Sequence, residues 1–159
     1  MISRIRSSDR ITYQQEPLCK FIPDVNSLVA LDWEEVGRPE IGYHLEPDWD
    51  LYHLLEDSGN LRVFTVRSEG NLIGYFTVVV SPSLHSKGNF VVSNDAIFLH
   101  PDYRSGSIGV KLFKFVEDCI REDGFGQLQI TYTDKYDISS LLTRLGYFKV
   151  ETKFEKRLN

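Results

Sequence analysis

The seven residues Arg104-Ser-Gly-Ser-Ile-Gly-Val110 offer the plainest chemistry in this sequence. Small residues at Ser105, Gly106, Ser107 and Gly109 let a ligand come close to the backbone. A helix that starts here leaves its first N–H groups without intrahelical partners. Those donors sit at the end of a dipole equivalent to about +0.5 charge, which suits a phosphate or pyrophosphate. Arg104 enters just before the turn and adds a cation. A plain strand-to-helix turn with a surface arginine accounts for the same residues. A P-loop is excluded, because Val110-Lys111-Leu112 follows Gly109 where Lys-Ser or Lys-Thr is needed. The dinucleotide spacing G-x-G-x-x-G is absent.

A second candidate is acidic. Asp32 interrupts the apolar face of a helix and is followed by Trp33, Glu34 and Glu35. Such a cluster beside a pocket suits an amine; a solvated helix end with one aromatic packed down is the alternative. His44, His53 and His100 lack metal-ligand spacing, and no metal is expected.

The elements around these residues follow from apolar periodicity. Ile97 and Leu99 alternate with Ala96 and Phe98 in a strand over 91–100, which Pro101 closes. Beyond the turn, Ile108, Leu112, Phe113, Val116 and Ile120 mark one face of a helix ending near Asp123. Earlier, residues 11–15 read as a strand and Pro23-Asp24 as a helix start leading to Val36. Pro47-Asp48 opens a second helix, through Leu51, Leu54 and Leu55, that stops at Ser58-Gly59. Strands at 61–67 and 72–80 flank the hairpin turn Ser68-Glu-Gly-Asn71, and Gly74 marks a bulge or close approach. Residues 82–90 form a polar loop carrying His85. A half-buried strand at 127–133, a short helix capped by Asp137, and an edge-type strand at 148–154 complete the order. Residues 1–10 are a loose polar lead-in. The sum is an α+β fold in one domain, 1–159.

Composition narrows the class. With 42% hydrophobic and 26% charged residues, the chain is globular and large enough to bury a core without metals or disulfides. A net charge of −5 argues against nucleic acid and mildly favours cationic substrates. No apolar run reaches the length of a membrane span, and no signal-peptide core stands at the N-terminus. Cys19 and Cys119 stand alone, which suits a reducing cytoplasm.

His100-Pro-Asp-Tyr-Arg-Ser-Gly-Ser-Ile-Gly109 resembles the acetyl-CoA-binding motif of the GNAT N-acetyltransferase superfamily, Arg/Gln-x-x-Gly-x-Gly/Ala between a central strand and helix. Leu141-Leu-Thr-Arg-Leu-Gly-Tyr147 resembles the second signature, a short helix ending in Leu-Gly-Phe. The order of elements over 61–159 agrees, and the flavour is that of compact bacterial and phage members. The resemblance implies a mixed, mostly antiparallel sheet flanked by helices, and transfer of an acetyl group from acetyl-CoA to a primary amine of a small molecule or protein. No enzyme nucleophile is needed, because the amine attacks the thioester directly in a ternary complex.

On that reading the pantetheine arm lies along Ile97, Phe98 and Leu99, and the pyrophosphate on Arg104, Ser105, Gly106, Ser107, Ile108, Gly109 and Val110. Asp95 is the first candidate for the base that takes the amine proton, on the strand face shared by Ile97 and Leu99, where burial would raise its pKa. His85 is the second. Trp33, Glu34 and Glu35 are the substrate-side candidates. Three departures stand out: Ser107 replaces a glycine, an asparagine usual early in the second helix is missing, and Leu142 stands where a tyrosine commonly protonates the thiolate. Tyr136 or Tyr132 are replacements for that acid. The alternative is a weak or inactive GNAT-fold module that binds acyl-CoA or works through its surface; a third reading is an unrelated α+β domain whose turn mimics the motif. A homodimer through the last strand is a further expectation.

Overall fold

The computed structural model describes residues 10–158. The expected lead-in at 1–10 falls almost wholly outside them; Arg10 itself is exposed and its N–H donates to Glu69 Oε1. Four strands form one antiparallel sheet in sequence order: β1 (Ile11–Gln15), β2 (Leu61–Ser68), β3 (Asn71–Pro82) and β4 (Phe90–Leu99). Helices α1 (Leu18–Val36) and α2 (Trp49–Asp57) cover one face. Helices α3 (Ile108–Glu122) and α4 (Ser139–Arg144) cover the other. The architecture is α+β, as the periodicity indicated.

Each face has its own core. Phe64, Val66, Phe76, Val78 and Val92 pack against Ile108, Leu112, Phe113, Val116 and Ile120 of α3. On the opposite face Leu61, Val63, Tyr75 and Phe98 meet Leu18, Phe21, Val25 and Leu28 of α1. Burying a side chain of this size contributes roughly 1.5–3 kcal/mol, so the two cores fix α1 and α3 firmly across the sheet.

Two bulges break the alternation, and both matter to the site. Val66 pairs with Gly74 and Arg67 with Leu72, leaving Ile73 as the extra residue. A Cβ at Gly74 would lie 2.7 Å from the Phe98 carbonyl oxygen, so only glycine lets β4 pass this closely. Further along, Thr77 pairs with Ala96 and Val78 with Asn94, which leaves Asp95 as the extra residue of β4. The face therefore switches: Val92 belongs to the α3 core and Phe98 to the α1 core, although six positions apart they would share a face in a regular strand.

The helices depart from expectation in ways with clear causes. Helix α1 begins at Leu18, five residues before Pro23, which lies inside it. Leu18, Phe21, Val25 and Leu28 carry the apolar stripe through the proline, and tertiary packing overrides the local penalty. Glu56 of α2 accepts the Leu18 N–H at 2.8 Å, a cap supplied from another element. In α2, capped by Asp48 (Leu51 N–H to Oδ1, 3.0 Å), it is Trp49, Tyr52 and Leu55 that face inward, and Leu51 and Leu54 are exposed.

The expected strand at 127–133 is reduced to one parallel bridge, Ser93–Gln129. The expected strand at 148–154 has no ladder partner among the described residues, and Phe148 and Phe154 are 82% and 95% exposed. Alternation predicted extended chain there, but pairing depends on a neighbour that alternation does not specify. No helix among the described residues is long and apolar enough to cross a membrane.

Candidate active site

The site is built where β4 parts from its outer neighbour. Gln129 N–H donates to Val92 O (2.8 Å) and Asn94 N–H to Gln129 O (3.2 Å). One step later the Asn94 side chain replaces the ladder, with Nδ2 donating to Thr131 O (3.0 Å) and Oδ1 accepting from Thr131 N–H (2.7 Å). Beyond Thr131, no pairing joins residues 132–136 to β4 among the described residues. Those residues cross instead to the end of α1, where Lys135 Nζ donates to Gly37 O (2.5 Å). The part of β4 from Ala96 to Phe98 thus has no strand along its outer side among the described residues, which leaves room for an extended ligand.

At the end of that edge lies the glycine-rich turn. Gly106 has φ 95°, a left-handed conformation, with open space where a side chain would stand. Ser107 begins α3 without a side-chain cap, and the first intrahelical bond is Lys111 N–H to Ser107 O (2.9 Å). The amides of Ile108, Gly109 and Val110 therefore precede the ladder and remain available. Buried Ile108 anchors the helix start while Ser105, Gly106 and Ser107 are exposed. The turn fits a diphosphate held on backbone amides.

Arg104 does not point into this turn. Its Nε donates to Leu99 O (2.6 Å), Nη1 to the Tyr136 hydroxyl (2.9 Å), and Nη2 to both oxygens of Glu35 (2.9 and 2.8 Å). The guanidinium carbon lies 4.7 Å from the Tyr136 ring centre and 5.3 Å from that of Phe98. The expectation of an arginine on the pyrophosphate gives way to an arginine on the α1 side of the sheet.

Asp95 also changes sides. As the extra residue of the bulge it faces Thr77 and α2, not the face of Ile97 and Leu99, and it is exposed where burial was expected. The bulge leaves Ala96 N–H without a ladder partner, and the Thr77 hydroxyl accepts it at 3.0 Å. The same hydroxyl donates to Asp95 Oδ2 (3.1 Å), and Tyr52 of α2 donates to that oxygen too. Alternation could not reveal this, because a bulge is invisible to a period-two count.

Beside this pair stands a second one. Tyr75 donates its hydroxyl to Asp32 Oδ2 at 2.6 Å. Burial lifts the Asp32 carboxyl to about 6; Glu35 and Asp95 add to the rise, while the Tyr75 hydrogen bond and Arg104 oppose it. Burial, with the negative charge of Asp32, pushes the Tyr75 hydroxyl well above the ordinary phenol range, and burial with Asp95 does the same to Tyr52. Oδ1 of Asp32 and of Asp95 have no hydrogen-bond partner among the described residues. Two tyrosine-held carboxylates thus lie near enough for the charge of Asp95 to act on Asp32, each with an oxygen to offer.

The remaining candidates separate. Glu35 joins the site through Arg104, whereas Glu34 is exposed. Trp33 covers Gly37, where a Cβ would meet its ring at 2.5 Å. Tyr136 joins the site through Arg104. His85 is exposed in the connection before Phe90, at the end of β4 opposite the turn. Leu142 is buried in the α3 core. Tyr52, Tyr75 and Thr77 belong to the site without having been singled out for it, whereas Asp32 was read as the head of the acidic cluster. Asp32 carried a signal, a charge at an apolar helix position, but the others read as ordinary packing residues.

The acetyltransferase (GNAT) family model matches residues 25–147, and the chain belongs to that family. No curated protein sequence matches it. Among solved structures, an aminoglycoside acetyltransferase from an uncultured soil metagenomic sample, crystallised with sisomicin, is 18% identical with a TM-score of 0.69, over 94% of this chain and 97% of that one. A ribosomal-protein-alanine N-acetyltransferase from Brucella melitensis biovar Abortus is 19% identical with a TM-score of 0.69, over 94% and 100%. A predicted acetyltransferase from Clostridium acetobutylicum, crystallised with acetyl-CoA, is 11% identical with a TM-score of 0.66, over 94% and 97%. At these identities the likeness is one of fold.

Proposed function

We propose that the protein transfers an acetyl group from acetyl-CoA to a cationic primary amine, with residues 1–159 acting as one domain. The parting of β4 from residues 132–136, beside the open amides of Ile108–Val110, is the observation that carries this reading. Acetyl-CoA supplies an activated thioester. The open outer side of Ala96–Phe98 holds an extended arm by backbone hydrogen bonds, and the turn at 105–110 holds its diphosphate through amides. A main-chain N–H next to the bulge is the donor for the charge that develops on the carbonyl oxygen.

On the acceptor side, Asp95 and Asp32 attract the ammonium form, and Asp95 takes the proton that must leave before attack. Its Oδ2 is held by Tyr52 and Thr77, which leaves Oδ1 to act. Tyr136 is the candidate acid for the departing thiolate. Charge distribution supports a cationic acceptor. Residues 32–57 contain nine carboxylates and one arginine, a net −8, against −5 for the whole chain, so the remainder sums to +3. A cytoplasmic setting accords with the free thiols of Cys19 and Cys119.

Calorimetric titration with acetyl-CoA tests the first half of the proposal, and thiol release with spermidine, an aminoglycoside or an alanyl peptide tests the second. Asp95→Asn should lower kcat by about 10²–10⁴ and leave acetyl-CoA affinity unchanged. Absence of acetyl-CoA binding by the unaltered protein overturns the reading. Binding without turnover of any amine would favour a GNAT-fold binding module, a reading that the buried Leu142 supports.

A further inference from the structure

Arg104 lies in the stretch that resembles a phosphate-binding signature, yet every contact of its guanidinium lies elsewhere. It bridges three separate pieces of chain: the end of β4 through Leu99 O, the end of α1 through Glu35, and the 132–136 crossing through Tyr136. The bonds to Glu35 engage both carboxylate oxygens, and the flat group lies between the Tyr136 and Phe98 rings. Lys135 adds an adjacent tie from the same crossing to Gly37 O. Glu35 lies one helical turn beyond Asp32, so whatever fixes Glu35 also fixes the direction from which Asp32 faces Asp95.

We propose that Arg104 is a positioning residue for the acceptor pocket: it fastens α1 and the 132–136 crossing to the end of β4, and anion binding in the adjoining turn is left to the backbone amides. The inference rests on the acetyl-transfer reading for what the pocket receives, but not for the geometry it describes. The charged and titratable groups facing Asp32 are Glu35 on α1, Arg104 after β4, Asp95 on β4, Tyr75 on β3 and Tyr52 on α2. Arg104 is the cation among them and Glu35 is its partner. Neutralising one or the other should therefore move the Asp32 titration in opposite directions. Losing a cation favours the neutral acid, and losing a neighbouring anion favours the carboxylate.

The experiment is a carbon-detected NMR titration of the Asp32 carboxyl in the wild type, Arg104→Gln, Arg104→Lys and Glu35→Gln, paired with calorimetric acetyl-CoA titrations of the same proteins. Arg104→Gln should raise the Asp32 midpoint by about half a unit or more, Glu35→Gln should lower it, and Arg104→Lys should stay near wild type. Acetyl-CoA affinity in Arg104→Gln should stay within about threefold, whereas loss of a charge-assisted phosphate contact would cost about tenfold or more. A tenfold weakening of acetyl-CoA binding, or an Asp32 midpoint that moves the same way in both neutralised variants or not at all, overturns the proposal. Arg104→Lys keeps the cation and serves if Arg104→Gln does not fold. Should the wild type bind no acetyl-CoA, the acetyl-transfer reading falls, and the Asp32 titration alone decides the role of Arg104.

Discussion

Two arginines hold the two ends of α1, and they do so differently. Arg67 of β2 serves the N-terminal end. Its Nε and Nη2 donate to the two oxygens of Glu16 (2.9 and 3.0 Å), and Nη1 donates to Asp24 (2.8 Å) and Gly70 O (3.0 Å). Arg104 serves the C-terminal end through Glu35, Tyr136 and Leu99 O. The Arg67 side chain is 10% exposed and the Arg104 side chain 24%. Around Arg67 both carboxylates are bound to the guanidinium, so that end is closed. Around Arg104, Glu35 is the carboxylate bound, while Asp32 and Asp95 are held by tyrosines and each keep an oxygen without a partner among the described residues. The same ion-pair chemistry makes a lock at one end of the helix and, at the other, one side of the proposed acceptor site.

If that contrast is right, the lock should govern stability and leave the site alone. Arg67→Met strands buried Glu16 without its partner, which typically costs about 3–5 kcal/mol. Denaturant unfolding should show that loss, and calorimetry should show unchanged acetyl-CoA affinity in the folded variant. A variant as stable as wild type would dissolve the distinction.

The open end should show the reverse balance. With its pKa raised from 3.8 to about 6, native Asp32 retains a proton that the unfolded chain has given up. The stability contributed by the neutral carboxyl is complete below pH 3.8 and is lost as pH rises to 6, about 3 kcal/mol at 1.36 kcal/mol per unit. Asp32→Asn can still accept from Tyr75 and carries no charge. It should be more stable than wild type by about 1–3 kcal/mol at pH 7, match it near pH 3, and lose acetyl transfer. Equal stability of the two proteins at pH 7 would mean that Asp32 is not held against its ionisation.

The smallest effect expected is at the other end of β4. His85 lies in the exposed connection before Phe90, away from both arginines. Its replacement by alanine should leave kcat/KM within about twofold, as is usual for a surface site remote from the chemistry. A loss of tenfold or more would place the reacting groups at the wrong end of the strand.

How much of this was legible beforehand follows from which forces are local. The strand before the turn, the turn and α3 were readable because apolar spacing, small residues and a helix start are all written in the one consecutive stretch from Phe90 to Glu122. The start of α1 was not: Pro23 is a strong local signal, and the packing of Leu18 and Phe21 against the sheet outweighs it. The 148–154 stretch alternates as a strand should, yet pairing needs an edge, and no edge is encoded in the stretch itself.

The sequence by itself determined the fold class, the turn whose amides suit a diphosphate, and the presence of acids at the end of α1. Those properties depend on residue type and on spacing within one element. Only the tertiary structure decided which face Asp95 presents, because one unpaired residue in β4 reverses every side chain that follows. It alone also decided that Arg104 turns away from the open amides at the start of α3 to Glu35, sixty-nine residues distant. A charged side chain goes to the partners that folding brings within reach, and no local pattern records them.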